Sequence, residues 1–565
     1  MKKDLLILLL LILPAFGLLF QKGYFAMHDD LQSMRQMELD HCFRDGQIPC
    51  RWVLDMGYGY GYPLFNYYPP FPYYLGQIFR WAGLSYIDVV KAVGVVGFIF
   101  TAAVMYFLGR EFWGRLGGLI SAAFYSYGPY HSVDFWVRGA MNEFWAMAFY
   151  PAILWTSYRL LRSSTPRRWI PALALSIAGL MLSHNPMLMI FTPTAVVWAL
   201  FWWWKFHHSR AAFMGLALSS VFALGLAAFF TLPVLFEQKF AHVDSLIIGY
   251  FNYLAHFVPI SRMFWIVKWG YGASGLGQTD FLSFNIGYLQ WLIPAVVLIL
   301  LPFVKRLRPY KFFIILLTLF TLASLFMMHS KSTFIWQHFA PLAFLQFPWR
   351  FLSMATCYAS LAAGAIALAL PAKILKFTAA VLLSAVVLLN GNYFRPRVWY
   401  PNMTDAVKFS GHSWYLLITS GIFDYLPIYA PHPPADPPGG NLNITPLGAY
   451  QTIRKTTDFQ SYQLQLSAPS TVEIETYYFP GWQVFLDGKL QAINPARDPL
   501  LGRMKVDVPA GNHTLVARFT NTPVRAVGDY VSLFSWLGLL GWGIVSLTKS
   551  SAFSTIVSGL NRHQS

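Results

Sequence analysis

Apolar residues along this chain come in long blocks. Stretches at about 4–21, 86–108, 115–130, 140–161, 168–184, 187–204, 211–235, 286–303, 310–328, 351–370, 373–391 and 530–547 carry almost no charge. A helix needs about 20 mostly apolar residues to cross the hydrocarbon of a bilayer. The blocks therefore predict a polytopic α-helical membrane protein of about twelve transmembrane helices. Lys2 and Lys3 ahead of the first block also suit a secretory leader, but no small-x-small cleavage site follows, so we expect an anchor. From about 450 the pattern turns to alternation. Leu464 and Leu466 lie between glutamines, Val472, Ile474 and Thr476 alternate with Glu473 and Glu475, and Leu515, Ala517 and Phe519 alternate with Val516 and Arg518. Period two marks half-buried strands. Asp487-Gly488 and Ala510-Gly511-Asn512 are turn chemistry. The expectation is a small β-sandwich, preceded by a linker or ordered coil at about 430–442 rich in proline and glycine.

Composition points to the same solvent. Hydrophobic residues make up 56% of the 565, aromatics 18% and charged residues 12%, against roughly 25% charged in a soluble protein; the mean hydropathy is +0.46. The net charge of +17 would suit nucleic acid only if it were gathered on one soluble face. Instead it sits in short gaps: Lys2 and Lys3, Arg110 and Arg115, Arg159 to Arg168, Lys205 and Arg210, Lys305 to Lys311, Lys373 and Lys376, then Lys549 and Arg562. All of these fall on one side, which the positive-inside rule makes cytoplasmic. That predicts cytoplasmic N- and C-termini and no nucleic-acid partner. It divides the chain into a membrane domain (1–392, with exterior loops 22–85 and 236–285), an extracytoplasmic β-rich domain (393–529), and a last helix with its tail (530–565). Three cysteines are too few for a disulfide framework; Cys42 and Cys50 pair if their loop faces an oxidising compartment, and Cys357 reads as packing.

Chemistry should lie outside, where the unusual sequence is. His28-Asp29-Asp30 opens the first exterior loop at the membrane surface. Such carboxylates deprotonate a hydroxyl as general base, hold a divalent cation, or simply cap the following helix. Tyr58, Tyr60 and Tyr62 alternate with glycines, giving stacking surfaces for sugar rings or an interfacial aromatic belt. Arg138 and Glu143 flank the mouth of the fourth span, and ionisable groups there default to function. His184 sits in a tight exterior turn, as a proton shuttle, a phosphate ligand or a turn polar group. Arg350 at the start of the tenth span is a fork for phosphate oxygens or a snorkelling side chain. In the tail, Tyr477 and Trp482 are candidates to stack on glycans. This inventory suits a lipid-phosphate substrate meeting a hydroxyl acceptor. No glycine-rich phosphate loop, CxxC pair or HExxH occurs, so ATP-driven, zinc-finger and zincin chemistry lack support.

The run His28-Asp29-Asp30, Arg44-Asp45-Gly46-Gln47-Ile48-Pro49 and Gly57-Tyr58-Gly59-Tyr60-Gly61-Tyr62-Pro63-Leu64-Phe65, with Gln346-Phe347-Pro348-Trp349-Arg350, resembles bacterial membrane proteins labelled 6-pyruvoyl-tetrahydropterin-synthase-related. Tyr478-Phe479-Pro480-Gly481-Trp482 and Pro509-Ala510-Gly511-Asn512-His513 resemble the exterior tail of YfhO-like proteins. Both groups are similar to the GT-C superfamily of polytopic glycosyltransferases. The resemblance implies a GT-C-like fold in the bacterial cytoplasmic (inner) membrane. It implies a polyprenyl-phosphate-linked sugar as donor, and an envelope glycan, lipid or protein as acceptor. It makes Asp29 or Asp30 the acidic residue beside the acceptor, with Arg350, Arg138 and His184 neutralising the leaving phosphate. A divalent cation is optional there, since phosphate leaves well unaided. The rival expectations are a transporter or flippase of lipid-linked glycans, which calls for internal repeats and broken charged helices, and a non-catalytic scaffold whose tail does the binding.

Overall fold

The computed structural model describes residues 2–206, 209–266, 268–275, 282–421 and 424–560, with side chains up to 544. Arg562, the side chain of Lys549 and positions 276–281 of the second exterior loop lie outside the described residues. Every apolar block is helical. The first runs Lys2–Phe16 and turns Leu8, Ile12, Ala15 and Phe16 inward while Leu6, Leu9 and Leu10 face outward. Blocks two and three form one run, Tyr86–Ser126, broken at Gly114, whose φ of 72° is open to glycine and costly to other residues. Helices Met141–Arg162, Asn185–Lys205, Lys311–Met328, Leu352–Ala363 and Ala372–Asn390 pack around that broken run or its neighbours. Among the described residues six helices are long and apolar enough to cross a membrane alone. A seventh is gained if Arg210–Leu226 and Ala228–Phe240, bent by 71°, form one span. Ile170–Ser183 and Tyr288–Leu300 are apolar but shorter, so length alone does not deliver all twelve crossings.

The first exterior loop is itself helical, with Gln32–Asp45 and Phe71–Trp81 as its main elements. Cys42 and Cys50 are bonded to each other, and Cys357 is buried and free. Two-residue strands β1 (Tyr24–Phe25) and β2 (Trp399–Tyr400) pair antiparallel and fasten the start of this loop to the chain leaving the bundle. The tail is a two-layer β structure. One sheet has five strands in the order β4-β5-β10-β7-β8 and the other three, β3-β6-β9. These are β3 (Leu442–Thr445), β4 (Ala449–Lys455), β5 (Phe459–Leu466), β6 (Ser470–Tyr477), β7 (Trp482–Leu486), β8 (Lys489–Gln491), β9 (Arg503–Val508) and β10 (Gly511–Phe519). Tyr462, Leu464 and Leu466 are buried on one face of β5, and Met504, Val506 and Val508 on one face of β9, as alternation predicts. Asp487 and Gly488 both take positive φ (50° and 79°), the backbone that suits a two-residue hairpin between twisted strands.

Tyr477 and Trp482 are not glycan surfaces. Both are buried (0% and 3% exposed) where the sandwich meets the first loop. Trp52 of that loop inserts against Phe479, Trp482 and Phe519, with ring centroids 6.0, 5.7 and 5.7 Å away, and Tyr477 lies 5.3 Å from Tyr60. Burial of these rings joins loop and sandwich into one core, so the tail is docked rather than hung on a tether. The last helix, Pro523–Leu560, is locked to the bundle. Arg525 bonds Glu237 at 2.8 Å and Arg51 bonds Asp529 at 2.5 Å, with Arg525, Glu237 and Arg51 almost fully buried.

Candidate functional site

A cavity of about 880 Å³ opens between the membrane helices, the first loop and the chain entering the sandwich, within the usual range for ligand sites. His28, Asp29, Asp30, Arg138, Glu143, His184 and Arg350 all line it. Residues far apart in sequence thus meet on one surface.

One wall is cationic. The π-helical turn Val133–Arg138 and the start of helix Met141–Arg162 bring Asp134, Arg138 and Glu143 together. Arg138 Nη1 donates to Asp134 at 2.5 Å and to Glu143 at 2.8 Å. Arg350 donates from Nε to Glu143 at 3.0 Å, and from Nη1 to the Leu345 carbonyl at 2.6 Å and Gln346 Oε1 at 3.1 Å. Tyr130 donates to the same glutamate. Arg350 is therefore held inside rather than snorkelling, its fork fixed before any ligand arrives. Burial and the neighbouring Glu143 charge push the Asp134 carboxyl well up, and Arg138 and Arg350 meet at the one Glu143 carboxylate. Gln346 holds a left-handed backbone (φ 65°), a strained geometry that costs roughly 1–3 kcal/mol and clusters at working sites. His184 accepts from the Met187 amide at 3.3 Å, capping helix Asn185–Lys205, and faces the cavity as well.

The opposite wall is built from carboxylates. Neither aspartate caps the first loop helix; Leu31 holds the N-cap position with no side-chain bond. Asp29 accepts from Arg35 at 2.7 Å and from Gln32 at 3.0 Å. Asp30 accepts from Lys408 at 2.6 Å, and burial still raises its carboxyl above the usual range. His28 donates from Nε2 to the Tyr271 carbonyl at 2.7 Å, tying in the second exterior loop. Three groups escape a reading of the sequence. Arg35 lies buried on the helix Gln32–Asp45, over the Tyr68 ring at 4.2 Å. Lys408 and Asp424 come from the tail, near helix Gly411–Thr419, whose outer turns also line the cavity. A signal existed for Arg35: its helix buries Gln32, Gln36, Glu38 and Asp40 too, which a helix of purely structural purpose avoids. None existed for Lys408 or Asp424.

Tyr58, Tyr60 and Tyr62 are absent from the cavity's lining. Tyr60 and Tyr62 are buried (7% and 1% exposed) and Tyr58 is half-buried, so the stacking role expected of them is corrected to packing and clasping. Of the cavity's carboxylates, Asp29, Asp30 and Glu143 are each taken up by a cationic side chain. The grouping of possible metal ligands among the described residues is elsewhere, at Glu38, His41 and Asp55. Glu38 there accepts from the amides of Leu54, Asp55 and Met56; burial raises it to about 8. It serves as a loop clasp.

No protein-family model matches the chain, and no curated protein does. Among solved structures the chain is similar to the arabinofuranosyltransferase AftD from Mycobacteria, at 12% identity over 71% of this chain and 27% of that one, TM-score 0.43. It is also similar to the Archaeoglobus fulgidus oligosaccharyltransferase tethered with an acceptor peptide, at 14% identity over 74% and 59% of the two chains, TM-score 0.42. The same comparison with the archaeal oligosaccharyltransferase AglB from Archaeoglobus fulgidus, in complex with an inhibitory peptide and a dolichol-phosphate, gives 13%, 74%, 59% and 0.40. The chain spans about a quarter of the first of these proteins and about three fifths of the other two.

Proposed function

We propose that the chain is a GT-C-like membrane glycosyltransferase that moves a sugar from a polyprenyl-phosphate carrier to an envelope acceptor on the extracytoplasmic face of a bacterial cytoplasmic membrane. The observation that supports this is the one cavity with two unlike walls. Arg138 and Arg350, pre-set beside Glu143 and His184, present planar donors to a lipid phosphate and stabilise the charge that grows on it as the sugar leaves. Asp29, Asp30 and His28 form the wall that meets the acceptor and the positive charge developing on the sugar ring. In-line displacement at the anomeric carbon needs both sides at once, and proximity supplies much of the rate. The twelve helical blocks serve as twelve crossings with both termini cytoplasmic. The Cys42–Cys50 bond suits a first loop in an oxidising compartment.

The test is release of labelled sugar from undecaprenyl-phosphate-linked hexoses and pentoses by the purified full chain in nanodiscs, compared with Asp29→Asn and Asp30→Asn. Each variant is expected to lose about 100-fold or more in turnover, because the paired carboxylates orient the acceptor against the donor. Full activity in both defeats the assignment.

A further inference from the structure

The proposed reaction needs a group to take the acceptor's proton, and the ion pairs described above leave few that are free to do it. Among the described residues four carboxylates line the cavity: Asp29, Asp30, Glu143 and Asp424. The first three are spoken for by Arg35, Lys408, and the Arg138–Arg350 pair. A carboxylate in a strong ion pair is a poor base, because accepting a proton forfeits the pairing. Asp424 differs. Among the described residues its carboxylate has no hydrogen bond and no ion pair, yet it is only half-buried in the cavity wall. Its backbone is held on both sides by one side chain: the Tyr62 hydroxyl donates to the Gly421 carbonyl at 2.9 Å and accepts from the Tyr425 amide at 2.9 Å. An unpaired carboxylate next to a backbone amide held in this way is what a positioned base requires.

We propose that Asp424 is the general base of the transfer, and that the acceptor is therefore a neutral hydroxyl. This rests on the glycosyltransferase reading and names the acceptor chemistry of that same site. The acceptor's O–H proton passes to the Asp424 carboxylate as its oxygen forms a bond to the anomeric carbon. The bond from that carbon to the carrier's phosphate oxygen breaks, and its electron pair leaves on the phosphate beside Arg138 and Arg350. Asp424 then returns the proton to water. The titratable groups around Asp424 are Arg35, Asp29, Tyr62, Tyr68 and Tyr425. Burial, with Asp29 adding and Arg35 opposing, raises its carboxyl to about 6, close to the poise that general-base catalysis favours at neutral pH.

The experiment follows transfer from undecaprenyl-phosphate-linked labelled hexoses and pentoses to n-octyl glycosides by the full chain in nanodiscs, between pH 5 and 9. The parent protein should show an acid limb in kcat near pH 6. Asp424→Asn should lower kcat by about 100-fold or more and abolish that limb, with the donor's KM little changed. Asp424→Glu should keep a limb and recover part of the rate. Asp424→Asn retaining the parent's rate and pH profile overturns the assignment, and if Asp29→Asn still fails in that assay the glycosyltransferase reading stands without it. No turnover of any donor by the parent chain overturns both.

Discussion

At the scale of single residues, the cavity shows how the same side chain takes different work from different partners. Asp29, Asp30 and Asp424 share a wall, but Arg35 and Lys408 take up the first two, and among the described residues no hydrogen bond or ion pair takes up the third. Its raised carboxyl also has a thermodynamic consequence. Between about pH 4 and 6 an unfolded chain has given up this proton while the folded one keeps it, so stability falls as pH rises through that window and stays lower above it. Asp424→Asn removes the penalty. Above pH 7 the variant should be more stable than the parent by on the order of 1–2 kcal/mol, once exposure to cavity water is discounted, and the gain should vanish near pH 4. Melting in detergent across pH checks this; a variant that is less stable at pH 8 sinks it. The sequence announced Asp29, Asp30, Arg138, Glu143, His184 and Arg350, because charge at a bilayer rim is conspicuous against an apolar background. Asp424 carried no such mark, since it lies in an exterior segment where polar residues are ordinary.

At the scale of elements, apolar blocks and alternation were both legible as helix and strand, though among the described residues six or seven helices rather than twelve are long and apolar enough to cross a membrane. The errors concerned aromatic rings. A tyrosine or tryptophan in an exterior loop reads the same whether it faces a sugar or another ring, and only the partner decides. Here Trp52 found Phe479, Trp482 and Phe519, and Tyr60 found Tyr477. That packing sets a measurable joint. Trp52→Ala empties a fully buried site and should cost about 3–5 kcal/mol, freeing the sandwich from the loop. Limited proteolysis should then cut at 430–442 well before the bundle unfolds. Protection equal to the parent's would mean the joint is held by other contacts.

At the scale of the whole molecule, two buried ion pairs connect distant parts of the chain. Glu237 ends a membrane helix, Arg525 begins the last one, and Arg51 of the first loop reaches Asp529 on that last helix. Removing one member of a buried pair strands the other, at roughly 3–5 kcal/mol. Arg525→Ala should lower the melting temperature of the full chain clearly, and Arg525→Met with Glu237→Gln should restore most of it. A single variant that melts like the parent rules out this anchoring role. None of this long-range pairing could be read in advance, because periodicity reports a residue's own element and is silent about which other element it will meet.

Strand β2 and the segment behind it add one more consequence. Lys408 and Asp424 reach the cavity only after the chain has left the bundle, and the sandwich that follows them is closed by β10, just ahead of the last helix. A ribosome that has delivered every earlier membrane helix has therefore delivered a pocket that still lacks Lys408 and Asp424. On the reading proposed above, transfer waits for residues that are laid down late in biogenesis.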